Sequence, residues 1–180
     1  MSSPSTGSTA PLVSVIVPVY NGARYLAESL ESAFAQDWPN LEIVVVDDGS
    51  TDATPQVLAG FGERIRSIRQ TNQGAAAARN AALKASRGEY IAFLDADDLW
   101  APHKLSIQVG HLEAQPEVDL VYSAWKVVES SDAAAQASAA IASASSHVVD
   151  VAGSGWLYNT LLIDCVLHTT TVVMRRKLLD

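Results

Sequence analysis

Two groups of carboxylates in this 180-residue chain follow directly on apolar runs. Asp47 and Asp48 come after Ile43-Val44-Val45-Val46, while Asp95, Asp97 and Asp98 come after Tyr90-Ile91-Ala92-Phe93-Leu94. Three carboxylates within four residues repel one another unless a cation or hydrogen-bond donors compensate them. An oxygen-only Asp-x-Asp set at a strand end suits a hard ion, Mg²⁺ or Mn²⁺, that keeps positions open for phosphate oxygens. Taken alone, the same turn is equally explained as a solvated helix cap. Asp48 is a candidate acceptor for a nucleobase N–H, and Gly49 lets backbone approach a ligand. Ordinary Asp-Gly turn chemistry explains that pair as well.

Pro18-Val19-Tyr20-Asn21-Gly22 closes an earlier run, Val13-Ser14-Val15-Ile16-Val17. Pro18 withholds an N–H where the strand leaves its ladder, and Tyr20 offers a ring to a base or ribose. Asn72-Gln73-Gly74 with Arg79-Asn80 enters an Ala-rich stretch. A helix N-terminus and an arginine there are candidates to meet a diphosphate. No G-x-G-x-x-G follows the first run, so a dinucleotide-binding Rossmann domain and a Walker-type NTPase lose their main support.

The elements that must position these groups alternate. A continuous β-branched run at 13–17 and an apolar run at 41–46 predict buried strands, and further strands are expected at 65–69 and 89–94. Helical spacing predicts helices over 25–34, 53–61, 74–86 and 102–115. Such alternation predicts an α/β fold with a mainly parallel central sheet and helices on both faces. Ligands bind beyond the C-terminal ends of such strands, so the polar clusters after strands one, two and four converge on one crevice. Farther on, 118–128 is expected to be extended, 156–163 a short helix and 168–174 a strand. Residues 175–180 resemble the opening of a helix. No internal repeat is visible.

Composition narrows the class. The chain carries 12 Lys and Arg against 20 Asp and Glu, a net charge of −8. That excess argues against holding nucleic acid by its phosphates. A hydrophobic fraction of 48% supports a proper core. The single cysteine, Cys165, makes no internal disulfide, and no Cys/His cluster offers a zinc site. No apolar run approaches the roughly 18 residues needed to span a bilayer. A cytoplasmic location is expected, with the inner face of the membrane as the alternative.

Taken together, four segments resemble the N-terminal half of a family 2 glycosyltransferase of GT-A fold. They are Val15-Ile16-Val17-Pro18-Val19-Tyr20-Asn21, the run from Ile43 through Asp47-Asp48-Gly49-Ser50-Thr51-Asp52, Asn72-Gln73-Gly74 with Ala78-Arg79-Asn80, and Gly88-Glu89-Tyr90 through Asp95-Ala96-Asp97-Asp98. The order and spacing are those of the family. The resemblance implies a Rossmann-like α/β/α sandwich that binds a nucleotide sugar, UDP-linked by expectation, and transfers the sugar to a glycan, lipid-linked or other hydroxyl acceptor. It implies an inverting, Mg²⁺- or Mn²⁺-dependent reaction in cell-envelope polysaccharide synthesis. Pro18, Tyr20 and Asp48 would line the uridine pocket with Asp47 supporting the turn, and Asn21, Gly74 and Arg79 would complete the nucleotide-sugar site. Asp95 would face ribose or metal, Asp97 would be the main metal ligand, and Asp98 a helper.

The expected divisions are a leader at 1–11, the nucleotide-sugar core at 12–128, an Ala/Ser-rich insertion at 129–149 and the start of an acceptor-side region at 150–180. The catalytic base is expected beyond Asp180. Two other readings stand beside this one: a nucleotide-sugar-binding module without turnover, and a nucleotidyltransferase of similar sheet topology. The latter is expected to carry a Gly-rich, Arg-containing loop where this chain has 18–22.

Overall fold

The computed structural model describes residues 10–125, 127 and 168–179. Its elements run β1 (Val13–Val19), α1 (Leu26–Phe34), β2 (Leu41–Asp47), α2 (Thr54–Phe61), β3 (Arg66–Arg69), α3 (Ala75–Ala85) and β4 (Tyr90–Phe93). They continue as α4 (Lys104–Ala114), β5 (Leu120–Val121) and β6 (Val173–Arg175). The six strands form one sheet in the order β3-β2-β1-β4-β6-β5. β3, β2, β1 and β4 are parallel, whereas β6 runs antiparallel to both β4 and β5.

β1 is buried along its whole length, as a β-branched strand covered on both faces must be. Alternation divides its side chains between two clusters. Val13, Val15, Val17 and Val19 meet α1, α2 and α4 on one face, while Ile16 meets Ala78 and Ala82 of α3 on the other. The result is the expected three-layer sandwich.

Pro18 decides where β4 lets go. The Leu94 N–H donates to the Ile16 carbonyl (3.0 Å), closing the last rung between β1 and β4. The next rung needs a donor at position 18, and proline has none. The chain is thereby released into the turn at 95–98.

The expectations for the later chain need correction. Of the chain expected to be extended at 118–128, the described residues pair only over the two-residue β5. The strand expected at 168–174 is a 3-10 turn, Thr169–Thr171, followed by the short β6. The reason is hydrogen bonding. The Thr170 carbonyl accepts from Trp100 Nε1 (3.1 Å), and the Thr171 carbonyl accepts from Lys104 Nζ (3.1 Å) and Gln108 Nε2 (2.9 Å). Carbonyls committed to α4 and its approach do not join a ladder. The expected helix after 175 is a single 3-10 turn, Arg176–Leu179. The leader through residue 9, the Ala/Ser-rich stretch and the helix expected at 156–163 lie outside the described residues.

Lys104 is buried, and no carboxylate among the described residues pairs with it. Among the described residues its amine meets Gln108 Oε1, the Thr171 carbonyl and the face of Trp100, 5.0 Å from the ring centre. Burial draws its pKa from the ordinary 10.5 down to about 7. Two acceptors match the two hydrogens of a neutral amine. The unfolded chain therefore binds more protons than the folded one between those values, and stability rises with pH across that window. Urea melts from pH 7 to 9 should show this rise, and Lys104→Met should flatten it. An unchanged slope in the variant would mean that Lys104 is charged throughout.

Candidate active site

Parallel pairing places the turns after β1, β2 and β4 at one edge of the sheet, where they enclose a cleft of about 600 Å³. Pro18, Tyr20, Asn21, Asp48, Gly74 and Arg79 line it, together with Asp95 and Asp97. Eight of the ten residues singled out from sequence are thus brought together. The other two are not on the cleft wall.

Asp47 points to the opposite face, toward a smaller hollow beside α2. Successive strand residues face opposite sides, so Asp47 and Asp48 cannot both enter the cleft. Asp47 Oδ1 accepts the Ser50 N–H (2.8 Å), and its other oxygen lies 3.4 Å from Arg69 Nη1. Its part is to support the turn. Asp98 is half-buried behind the acidic loop, whose turn closes through the Asp98 N–H to the Asp95 carbonyl (3.1 Å). Burial, followed by the neighbouring charges of Asp97 and Asp95, pushes the Asp98 carboxyl above its ordinary range.

Backbone groups stitch the cleft walls. Asn21 adopts φ 51°, and its Oδ1 accepts the N–H groups of Thr51 (2.8 Å) and Asp52 (3.3 Å). The Asn21 N–H donates to Ser50 Oγ (2.9 Å), and the Gly22 N–H to Thr54 Oγ1 (2.9 Å). Gly49 stands at φ 81°, where a Cβ would come 2.9 Å from the Asn72 nitrogen. Only glycine allows both that conformation and that approach.

Asp48 is a clamp. Its Oδ1 accepts from Gln70 Nε2 (2.7 Å) and the Gln73 N–H (3.0 Å), and its Oδ2 accepts the Gly74 N–H (2.7 Å). Burial alone would raise this carboxyl; the three donors outweigh it and hold the group below the usual carboxylate range. On the other wall, Arg79 Nη2 meets Asp95 Oδ1 at 2.5 Å, while the buried Arg79 Nε has no partner among the described residues. Ser29 Oγ of α1 donates to the Asp95 carbonyl (3.0 Å), fixing the acidic loop from below. Asp97 is exposed, and no donor or cation among the described residues engages its carboxylate.

Sequence reasoning missed Tyr25 on the wall, having spent it on the helical pattern. In the structure Arg24 lies 4.9 Å over the Tyr25 ring, a contact that the sequence does not display. Among the described residues no three His, Cys, Asp or Glu side chains converge on one point. A cation at this edge would therefore take its remaining ligands from a bound molecule or water, as Mg²⁺ commonly does.

The glycosyl transferase family 2 model matches residues 14–179. The chain belongs to glycosyl transferase family 2. An uncharacterized glycosyltransferase of Rickettsia typhi is 40% identical over 121 residues, which is 67% of this chain and 38% of that protein. The Escherichia coli enzyme WfgD, a UDP-Glc:alpha-D-GlcNAc-diphosphoundecaprenol beta-1,3-glucosyltransferase, is 34% identical over 94% of this chain and 62% of its own length. S. aureus TarS 1-349 in complex with UDP superposes at a TM-score of 0.70 with 28% identity, over 93% of this chain and 47% of that one. The mannosyltransferase PcManGT from Pyrobaculum calidifontis, in complex with GDP-Man and Mn²⁺, gives 0.58 with 37% identity over 66% and 37%. This family 2 chain thus has a GT-A fold and spans between about a third and two thirds of these relatives.

The Asp48 clamp makes a stability prediction. An amide at this position keeps the size but loses the charge and one acceptor oxygen. Asp48→Asn should lower stability at pH 7 by about 1–3 kcal/mol, the cost of weakening buried charged hydrogen bonds. A carboxyl whose folded pKa is lowered stabilises above its unfolded value and loses that contribution as pH falls through the folded one. Urea melts should therefore show the gap closing below pH of about 4. A gap independent of pH would refute the charged clamp.

Proposed function

We propose that this chain binds a nucleotide diphosphate sugar, UDP-linked, in the cleft and presents it for inverting transfer to a glycan or lipid-linked hydroxyl. The observation that carries this reading is the Asp97 carboxylate, unpartnered among the described residues, on the same cleft wall as the Arg79–Asp95 pair. TarS with UDP supports the donor class, and the lipid-linked acceptor in WfgD's name supports the acceptor class. PcManGT with Mn²⁺ supports a divalent ion, Mg²⁺ or Mn²⁺.

The residues divide the work. Tyr20, half-exposed at 52%, offers its ring to the uracil or ribose, and Asp48 keeps one lone pair on Oδ2 for a donor on the base. Asp48 thus serves the nucleoside chiefly by shaping the 70–74 wall. Arg79 has an unpartnered Nε as well as the nitrogen given to Asp95, and the free N–H suits a phosphate oxygen. Asp97 would hold the ion, with Asp95 beside it on the cleft wall and Asp98 helping only from behind the loop. Such an ion, when bound, offsets the negative charge that grows on the departing diphosphate. In a chain of net charge −8, a polyanionic ligand requires such local compensation. No helix among the described residues is long and apolar enough to cross a membrane. A lipid-linked acceptor would be met at the inner membrane face.

Calorimetry with UDP in Mn²⁺ and in EDTA tests the reading. UDP should bind at least about tenfold more tightly with the ion, the size of one charged interaction. Asp97→Asn should remove most of that increment without altering the melting curve. Equal affinity in Mn²⁺ and EDTA would sink the role given to Asp97.

A further inference from the structure

Beyond the cleft, the same edge of the sheet carries a second group of side chains. β5 runs antiparallel to β6, and β6 antiparallel to β4, so β5 points the same way as β4. Trp125, four residues past β5, and His168, just before the turn into β6, therefore emerge at the edge that carries 95–98. Their rings meet at 4.1 Å between centroids, tilted by 51°. Trp125 keeps 55% of its surface exposed. An exposed tryptophan braced by a second ring, at the functional end of a sheet, presents a flat apolar face to whatever lies over β4 and β6.

The brace is built. Trp100 Nε1, Lys104 Nζ and Gln108 Nε2 hold the carbonyls of Thr170 and Thr171, and the His168 carbonyl accepts the Thr171 N–H (2.9 Å) and Thr171 Oγ1 (2.7 Å). The turn that carries His168 is thus pinned to α4 and its approach.

Strand order supplies the ligand. The nucleoside wall is set by Asp48 at the end of β2, and the acidic turn by Asp95 and Asp97 at the end of β4. Adjacent strands lie about 4.8 Å apart, so three steps from β2 to β6 cover roughly 14 Å. A nucleoside diphosphate laid along the edge, base at β2 and phosphates at β4, sends its next group over β6. In a nucleotide sugar that group is the pyranose.

We propose that Trp125, braced by His168, is a stacking platform for the pyranose ring of the nucleotide sugar. This rests on the donor reading of the cleft. A pyranose face of C–H groups packs on an aromatic face, and the ring contributes to affinity without contacting the nucleotide. Trp125 is therefore a specificity-determining residue for the sugar, outside the cleft that holds UDP.

Titration calorimetry of the 180-residue chain with UDP and with a panel of UDP-glucose, UDP-galactose and UDP-GlcNAc, all in Mn²⁺, tests this. In Trp125→Ala, UDP affinity should stay within about twofold, while the Kd of the tightest-binding UDP-sugar rises about three- to tenfold. Trp125→Phe should retain most of the sugar contribution, and both variants should melt as the parent does. Equal losses for UDP and UDP-sugar, or no loss for either, would overturn the platform. So would an unchanged UDP-sugar Kd accompanied by loss of acceptor-stimulated UDP release, which would assign the ring to the acceptor. Failure of the unsubstituted chain to bind UDP would overturn the donor reading itself, a result separable from these.

Discussion

Parallel pairing on both flanks of β1 is the constraint from which the rest of the molecule follows. β1 aligns Val13–Val19 with Leu41–Asp47 on one side and its first four residues with Tyr90–Phe93 on the other. Three strands pointing one way must release their chains at one edge. The polar turns are thus neighbours because of backbone hydrogen bonding, before any side chain contributes. Side chains then lock them: Asn21 binds the turn after β2, and Asp48 binds the wall that leads into α3. Removing any one tie leaves the edge intact, whereas turning one strand would dismantle it.

The carboxylates at this edge are compensated very unequally. Neutral donors answer Asp48, a backbone N–H and Arg69 answer Asp47, and Arg79 answers Asp95. Asp98 is answered only in part, by Thr170 and His168, and its carboxyl is pushed up by burial and by its acidic neighbours. Asp97 avoids the cost by standing in solvent. The uncompensated negative charge is therefore concentrated at 95–98, not spread along the cleft.

Much of this was legible in the residues, for reasons that also explain what was not. β-branched and apolar runs bounded by Gly and Asp have few solutions other than buried parallel strands, and β1 and β2 follow the first kind and β4 the second. The face of Asp47 was open to the same alternation rule that assigns the core, since Val45 and Asp47 must share a side. The threonine run at 169–171 misled because β propensity counts side chains, whereas these residues are committed through their carbonyls to Trp100, Lys104 and Gln108. Those donors lie more than sixty residues away, beyond any local pattern. Lys104 itself reads as a surface charge in an amphipathic helix, and only packing shows that it is enclosed.

α3 brings the electrostatic argument to its last step. Ala78 and Ala82 are fully buried against the sheet, and side chains this small let the helix lie close to β1 and β2. Its N-terminus is thereby carried onto the cleft wall, where the positive end of the helix dipole would ordinarily serve an anion. Here, however, the Gly74 N–H and the preceding Gln73 N–H already donate to Asp48. Arg79, one turn along, already donates to Asp95. Both groups suited to a diphosphate thus meet carboxylates, although Arg79 gives Asp95 only its Nη2. A donor bound as proposed would therefore meet Arg79 at its unpartnered Nε while Nη2 stays with Asp95, and a divalent ion held by Asp97 would give Asp95 a second positive charge to face. Anion binding and cation binding are then linked through one arginine, each favouring the other by the same free energy.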